Sequence, residues 1–291
     1  MSELKDKCVI SCALTGVLTD PGQFPVPVTP EEMAKEARAA FDAGATIVHC
    51  HFRSQKKGMG RLPSWEPEVA KAICDAIKEE VPEILINMST GMVGPNIQGP
   101  LDCLEAVKPE LAALNAGTLN YLKTRANGAW AWPPMVFDNP VDKIKKYLEV
   151  MDKYNIIPEC ECFDTGIVRS VGLYLHNGMM KSPVHISLVM GVASGMPCKP
   201  EWLPLLVAEM PEGTEWQTIG IGREEVWAVH RKAAELGGQV RTGLEDTFYL
   251  PDGNKATSNG QLVEALANIV RESGREPASP AEARQICGVP S

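Results

Sequence analysis

Eight short runs rich in apolar and β-branched residues recur along the chain, each followed by a stretch with helical signals. That alternation constrains the fold more than any other feature. The runs are CVISCALTG (8–16), ATIVHCHFR (45–53), EILINMSTG (83–91), LAALNAGTLN (111–120), IIPECECFD (156–164), VHISLVMGV (184–192), EWQTIGIG (215–222) and GQVRTGLED (238–246). Their centres are continuously apolar, as in strands buried on both faces. Between them, Thr29, Pro30 and Glu32 read as an N-cap, a first helical position and a capping box, and Gly44 ends that helix. Asn139 and Pro140 read as the same N-cap and first position, Glu224 and Glu225 as first-turn acids ahead of a stop at Gly237, and Ser279 with Glu282 as another capping box. Repeated β–α units imply a parallel sheet. Eight units in 291 residues fit a closed (β/α)8 TIM barrel, one domain over 1–291, better than an open doubly wound sheet. Residues 16–28 and 121–139 are the least regular and read as long loops after the first and fourth strands.

Composition excludes several function classes. The net charge of −9 and the lack of a long basic run argue against a nucleic-acid surface, while leaving room for a local cationic pocket. The start, MSELKDKCVI, lacks an apolar export segment, and no run of ~20 apolar residues follows. No membrane partner is expected. Nine cysteines without a CxxC pair fit reduced thiols in a cytoplasmic protein and make an all-thiolate zinc site improbable.

Barrels of this kind carry their chemistry at the C-terminal strand ends. There His49 and His51 sit two apart, on one side of a strand, as metal ligands would; the alternative is a pair of satisfied strand-end histidines. Alternation in RTGLED places Arg241, Gly243 and Glu245 on one face, with Asp246 just past the strand. Glu245 would complete a His2Glu set, suited to zinc with one position open; its alternative is a loop acid near a helix cap. His176, His185 and His230 read as surface or packing residues, with His185 at the barrel bottom. Glu159 and Glu161 alternate with Cys160 and Cys162, so the glutamates face the axis and the thiols face the helices. Glu161, nearer the rim, faces substrate, and Glu159, one layer down, reads as structural. Ser89, Thr90, Thr118 and Asn120 fall near the rim as polar candidates for substrate contact. GIGR (220–223) is either a phosphate cradle or an ordinary helix start.

Taken in order, TG after the first strand, HxHxR after the second, STG after the third, PExExFD at the fifth and RxGLED at the eighth resemble the β-keto acid cleavage enzymes over nearly the whole chain. The resemblance implies a (β/α)8 barrel, a homotetramer, and a divalent metal, typically Zn2+. It also implies a reaction in which a β-keto acid and acetyl-CoA, as co-substrate, become acetoacetate and a new acyl-CoA. Carried over by motif, His49, His51 and Glu245 are the metal ligands. Asp246 is the base, Arg241 its partner, and Ser89 the hydroxyl that assists the CoA step; Thr118 and Glu161 contact substrate. Leu18 stands where some members place a carboxylate for a substrate amino group, so a cationic and an apolar substrate tail both remain open. Trp130 and Trp132 could cage a quaternary ammonium or pack a subunit contact. Two rival readings are a metal-dependent TIM-barrel hydrolase, whose histidine pair would follow the first strand, and a non-catalytic metal- or CoA-binding regulator, which would need no base.

Overall fold

The computed structural model describes residues 4–290, and within them all eight expected strands are present. They are β1 (Ile10–Thr15), β2 (Ile47–Cys50), β3 (Leu85–Met88), β4 (Leu111–Asn115), β5 (Ile157–Cys162), β6 (His185–Met190), β7 (Glu215–Gly220) and β8 (Gln239–Thr242). Each pairs in parallel with its sequence neighbours, and β8 pairs with β1, closing the barrel. Eight helices follow the strands in turn: α1 (Pro30–Asp42), α2 (Pro67–Glu80), α3 (Gln98–Val107), α4 (Val141–Lys153), α5 (Thr165–Asn177), α6 (Leu203–Glu209), α7 (Val226–Glu235) and α8 (Asn259–Glu272). A ninth, α9 (Pro280–Cys287), comes last. The TIM-barrel expectation holds. Among the described residues no helix is long and apolar enough to cross a membrane.

Two apolar clusters explain why only one end of the barrel is open. Outward-pointing strand residues such as Ile10, Cys12, Val48, Cys50, Cys160 and Cys162 pack beneath the helices in one large core. A smaller cluster joins Val9, Ile47, Leu85 and Leu111 at the strand starts to Ala283 and Cys287 of α9. The last helix therefore plugs the bottom, and inward side chains nearer the strand ends can reach solvent only at the top.

Local signals match the structure where they are self-contained. Thr29 and Glu32 form the expected capping box, as do Ser279 and Glu282. Two helix starts shift. Helix α4 begins at Val141 with Pro140 at the N-cap, because Asn139 is used elsewhere. Its amide nitrogen donates to the Gly117 carbonyl at 3.2 Å, and its backbone N–H donates to Thr118 Oγ1 at 2.7 Å. Helix α7 begins at Val226, which leaves Glu224 and Glu225 ahead of its first turn.

The long loops also have more order than their sequences suggested. Beyond β4, Leu119–Tyr121 and Met135–Phe137 pair as an antiparallel hairpin at the rim. Trp132 stacks on Tyr121 with ring centroids 5.6 Å apart and donates to its carbonyl at 3.2 Å. The loop after β1 is held by the buried Arg53, which donates to Thr15 Oγ1 and the Thr19 carbonyl at 3.0 Å each, and to the Gly16 carbonyl. It also donates to the Gly60 carbonyl at 3.2 Å, so one guanidinium ties the loops after β1 and β2 together.

Candidate active site

At the open end, β2 delivers His49 from within the strand and His51 from just beyond it. Glu245 arrives from the other side of the barrel. Its Oε1 lies 3.3 Å from His51 Nε2, and its Oε2 lies 3.7 Å from His49 Nε2. One ligand atom from each of the three residues falls within 4.8 Å of the others.

The route by which Glu245 gets there differs from strand alternation. β8 ends at Thr242, and the chain then turns at Gly243, where φ is +146°. A Cβ at Gly243 would sit 2.2 Å from the Ala13 carbonyl oxygen, so the turn needs glycine. The Glu245 N–H donates to that same carbonyl at 3.2 Å, and the Asp246 N–H donates back to the Gly243 carbonyl at 2.9 Å. A tight turn, not continued β geometry, thus carries both acids over the barrel mouth. Gly16 leaves the room for Glu245, since a Cβ there would lie 3.0 Å from its Cγ. Gly243→Ala is expected to cost on the order of 1–3 kcal/mol in backbone strain, with the clash adding to it. A lower melting temperature and weaker binding of divalent metal should both be measured; a variant matching the parent in both contradicts this account of the turn.

Arg241, 2% exposed, organises the acids. Its Nε and Nη2 donate to the two oxygens of Asp246 at 3.0 and 2.9 Å, a bidentate pair. Nη2 also donates to Glu245 Oε1 at 3.0 Å, and Nη1 donates to Glu161 Oε1 at 3.3 Å. Three carboxylates against one guanidinium leave two negative charges uncompensated in a dry site. Burial pushes the Asp246 carboxyl up to about 7, with Arg241 opposing and Glu245 adding to the rise. Glu161 is likewise pushed up to about 7 by burial, again against Arg241. Burial also disfavours the charge on Glu245, but His51, His49 and Arg241 together hold it well below the usual carboxylate range. His49 is driven down to about 3, first by burial and then by Arg241, so it is a neutral imidazole.

These features fit a divalent cation. Glu245 Oε2 is buried without a hydrogen-bond partner among the described residues, and it faces the ring of His49. Two imidazole nitrogens and an ionised carboxylate are the donor set that zinc and similar ions accept. A charge of +2 would also balance the surplus of carboxylates.

The other candidates divide. Glu161 lies inside the cluster on Arg241. Ser89 is buried just past the end of β3: its N–H donates to the Cys50 carbonyl at 3.0 Å, which sets it beside His51. Its Oγ accepts only a weak bond from the Gly91 N–H at 3.4 Å, leaving the hydroxyl proton free. Thr90 is different. Its hydroxyl donates to the Ala113 carbonyl at 2.5 Å, which commits its proton to the β3–β4 junction. Thr118 and Asn120 do not end the fourth strand, which stops at Asn115. Thr118 Oγ1 accepts from the Asn139 N–H, and Asn120 belongs to the exposed rim hairpin. Leu18 is 83% exposed. Trp132 already has Lys123 over its ring at 5.8 Å. His185 and His230 are buried packing residues and His176 is exposed, as expected.

Two contributors carry weaker sequence signals. Arg53 is marked only by its place in HxHxR. Asn87 Oδ1 lies 3.1 Å from His49 Nδ1, and its place two residues before Ser89 is the available signal.

Comparison with known proteins agrees with this geometry. A family model described as beta-keto acid cleavage enzyme matches residues 7–289. The chain is 34% identical over 286 residues to a 3-keto-5-aminohexanoate cleavage enzyme of Acetoanaerobium sticklandii, covering 98% of this chain and 99% of that one. It is 35% identical over 292 residues to a 3-oxoadipate:acetyl-CoA acetyltransferase of Cupriavidus necator, covering 98% and 95%. Among solved structures, a binary complex of ObcA with oxaloacetate superposes with a TM-score of 0.71 at 20% identity, covering 91% of this chain and 68% of that one. That last likeness concerns the fold.

Proposed function

The chain belongs to the β-keto acid cleavage enzymes, and from that premise we propose that the cluster at the barrel mouth performs the family's exchange between a β-keto acid and acetyl-CoA. The observation that carries this reading is the convergence of His49, His51 and Glu245 within 4.8 Å, with Asp246 fixed beside them by a bidentate arginine.

His49, His51 and Glu245 would hold the divalent ion, with zinc best suited to a His2Glu set. When bound, such an ion supplies Lewis acidity that makes the C–H beside a β-keto carbonyl easier to ionise. Asp246 takes that proton; burial has brought its pKa near neutrality, where a carboxylate is a competent base. The resulting carbanion attacks the acetyl thioester carbon and expels the CoA thiolate. The thiolate then adds to the original keto carbon, and the bond to the former methylene carbon breaks. Acetoacetate leaves with the proton returned from Asp246, and the remaining fragment leaves as its CoA ester.

Arg241 keeps Asp246 aimed throughout. All three of its nitrogens already meet carboxylates, so its role is to position these acids, and a substrate carboxylate would have to displace Glu161 from Nη1. Glu161, pushed toward neutrality, is the acid able to yield that place. The unshared proton of Ser89 is available to the thioester oxygen or the departing thiolate.

The nine free cysteines, eight of them buried, support a reducing, cytoplasmic setting. We read the described chain as a single domain. The homotetramer expected of the family would find apolar surface on the rim hairpin, where Trp130 and Val136 are exposed. Two relatives of nearly equal identity carry different substrate names, so overall similarity does not select the acyl tail. The test is metal-loaded protein with acetyl-CoA and a panel of β-keto acids, read by mass spectrometry. Acetoacetate and a new acyl-CoA should form together, and only when both substrates are present. Free acid without a CoA ester would point to the hydrolase, and binding without product to the regulator.

A further inference from the structure

Beside the metal-ligand cluster, the barrel mouth holds a polar side chain that the proposed reaction does not use. Asn115 is the last residue of β4 and pairs in register with Glu161 on β5. Leu114 before it packs in the core beneath the helices, so Asn115 points to the barrel axis, on the same side as Glu161. Asn115 is only 6% exposed, and its carboxamide makes no hydrogen bond to another described residue. A carboxamide has both donors and an acceptor to satisfy, and a buried one left without partners is costly.

The amide nitrogen faces a space left by Gly91. A Cβ on Gly91 would lie 3.7 Å from Asn115 Nδ2, 3.7 Å from Ser89 Oγ and 4.0 Å from Phe137 Cζ. The backbone at Gly91 has no positive φ, so its conformation does not demand glycine; the missing side chain leaves room instead. Gly91 is partly exposed, which opens that room to the mouth. Phe137 closes one side from the rim hairpin, set edge-on against Phe163 with ring centroids 5.9 Å apart. The segment is braced from behind. Thr90 donates its hydroxyl proton to the Ala113 carbonyl at 2.5 Å, and the Tyr147 hydroxyl of α4 donates to the Thr90 carbonyl at 3.1 Å.

The exchange develops negative charge on two different carbonyl oxygens. The first belongs to the β-keto acid. The second forms when the carbanion attacks the acetyl thioester: a C–C bond is made, and the C=O electron pair moves onto the acetyl oxygen. It returns when the CoA thiolate is expelled. Arg241 already meets carboxylates through all three nitrogens, so this second oxyanion needs other donors. We propose that Ser89 Oγ and Asn115 Nδ2 together hold the acetyl oxygen of acetyl-CoA in the space beside Gly91, with the acetyl methyl against Phe137. The inference rests on the exchange reaction proposed above and deepens it. Asn115 becomes a catalytic residue, and Gly91 the position that admits the acetyl group.

The experiment sets Asn115→Ala and Gly91→Ala against the parent in three readouts. These are the complete exchange, deuterium uptake at the β-keto acid methylene in D2O without acetyl-CoA, and the carbonyl resonance of bound acetyl-CoA labelled there with 13C. Asn115→Ala should lower turnover by about 10²-fold or more, as loss of one oxyanion donor does. Deuterium uptake precedes the thioester step and should stay parental. The melting temperature should stay level or rise, because the carboxamide removed has no partner in the chain. In the parent the carbonyl resonance should move downfield on binding, and in Asn115→Ala by less. Gly91→Ala meets its neighbours at ordinary contact distances and should fold, yet its methyl group occupies the acetyl site. There the exchange should fall and the downfield shift vanish, again with parental deuterium uptake. Parental turnover in Asn115→Ala overturns the proposal. So does deuterium uptake that falls in step with turnover, which would put Asn115 on the β-keto acid. Should the parent turn nothing over, the exchange reading falls, and the carbonyl resonance still decides the acetyl site. A resonance that does not move when the parent binds acetyl-CoA overturns it.

Discussion

His51→Ala is expected to remove bound divalent metal and, with it, turnover, while the barrel stays folded. His51 lies just past the end of β2 with its side chain partly exposed, so its loss opens no core cavity. His49→Ala should give the same loss of metal at a greater cost in stability. That ring is buried, and its removal leaves Asn87 Oδ1 unpaired, a penalty on the order of 1–3 kcal/mol. Both changes leave the apolar core beneath the helices and the plug formed by α9 intact. Elemental analysis together with a thermal melt separates the two effects. Metal content equal to that of the parent in either variant would remove the residue from the ligand set.

Asp246→Asn should do the reverse: keep the metal and lose the chemistry. The amide is nearly isosteric, and its oxygen can still accept from Arg241, although one of the two parallel bonds is lost. Glu245 and the histidines are untouched, so metal content should be parental. A carboxamide cannot take a proton from carbon, and turnover should fall by ~10²-fold or more. Steady-state rates on the exchange reaction, set beside metal content, check this. Rates within a few-fold of the parent would mean that another group is the base, and Glu161, held by the same arginine, would be the next to replace.

Much of this site was visible in sequence because its members lie at strand ends. His49 and His51 needed only the two-residue period of a strand. Glu159 and Glu161 were placed on the axis by the same period, with Cys160 and Cys162 buried against the helices as expected. Glu245 was named for the right place by an inexact route: the structure brings it in through the turn at Gly243, which depends on how closely β8 approaches Ala13. Thr90 and Thr118 show the opposite limit. Each is a hydroxyl near the rim, but one donates to the Ala113 carbonyl and the other accepts from the Asn139 N–H, and neither partner is adjacent in sequence.

By itself the sequence determined the number and order of the strands, the closed parallel architecture, the capping boxes of α1 and α9, and the His–His–Glu set. These follow from periodicity, caps and strand-end position, all local properties written in neighbouring residues. Only the tertiary structure decided which polar groups remain free. It alone showed that one guanidinium holds three acids and that Asn87 meets His49 across the ladder of β2 and β3. The reason is physical: a buried donor or acceptor must find its partner across the barrel, and that choice depends on which strands the closure makes neighbours.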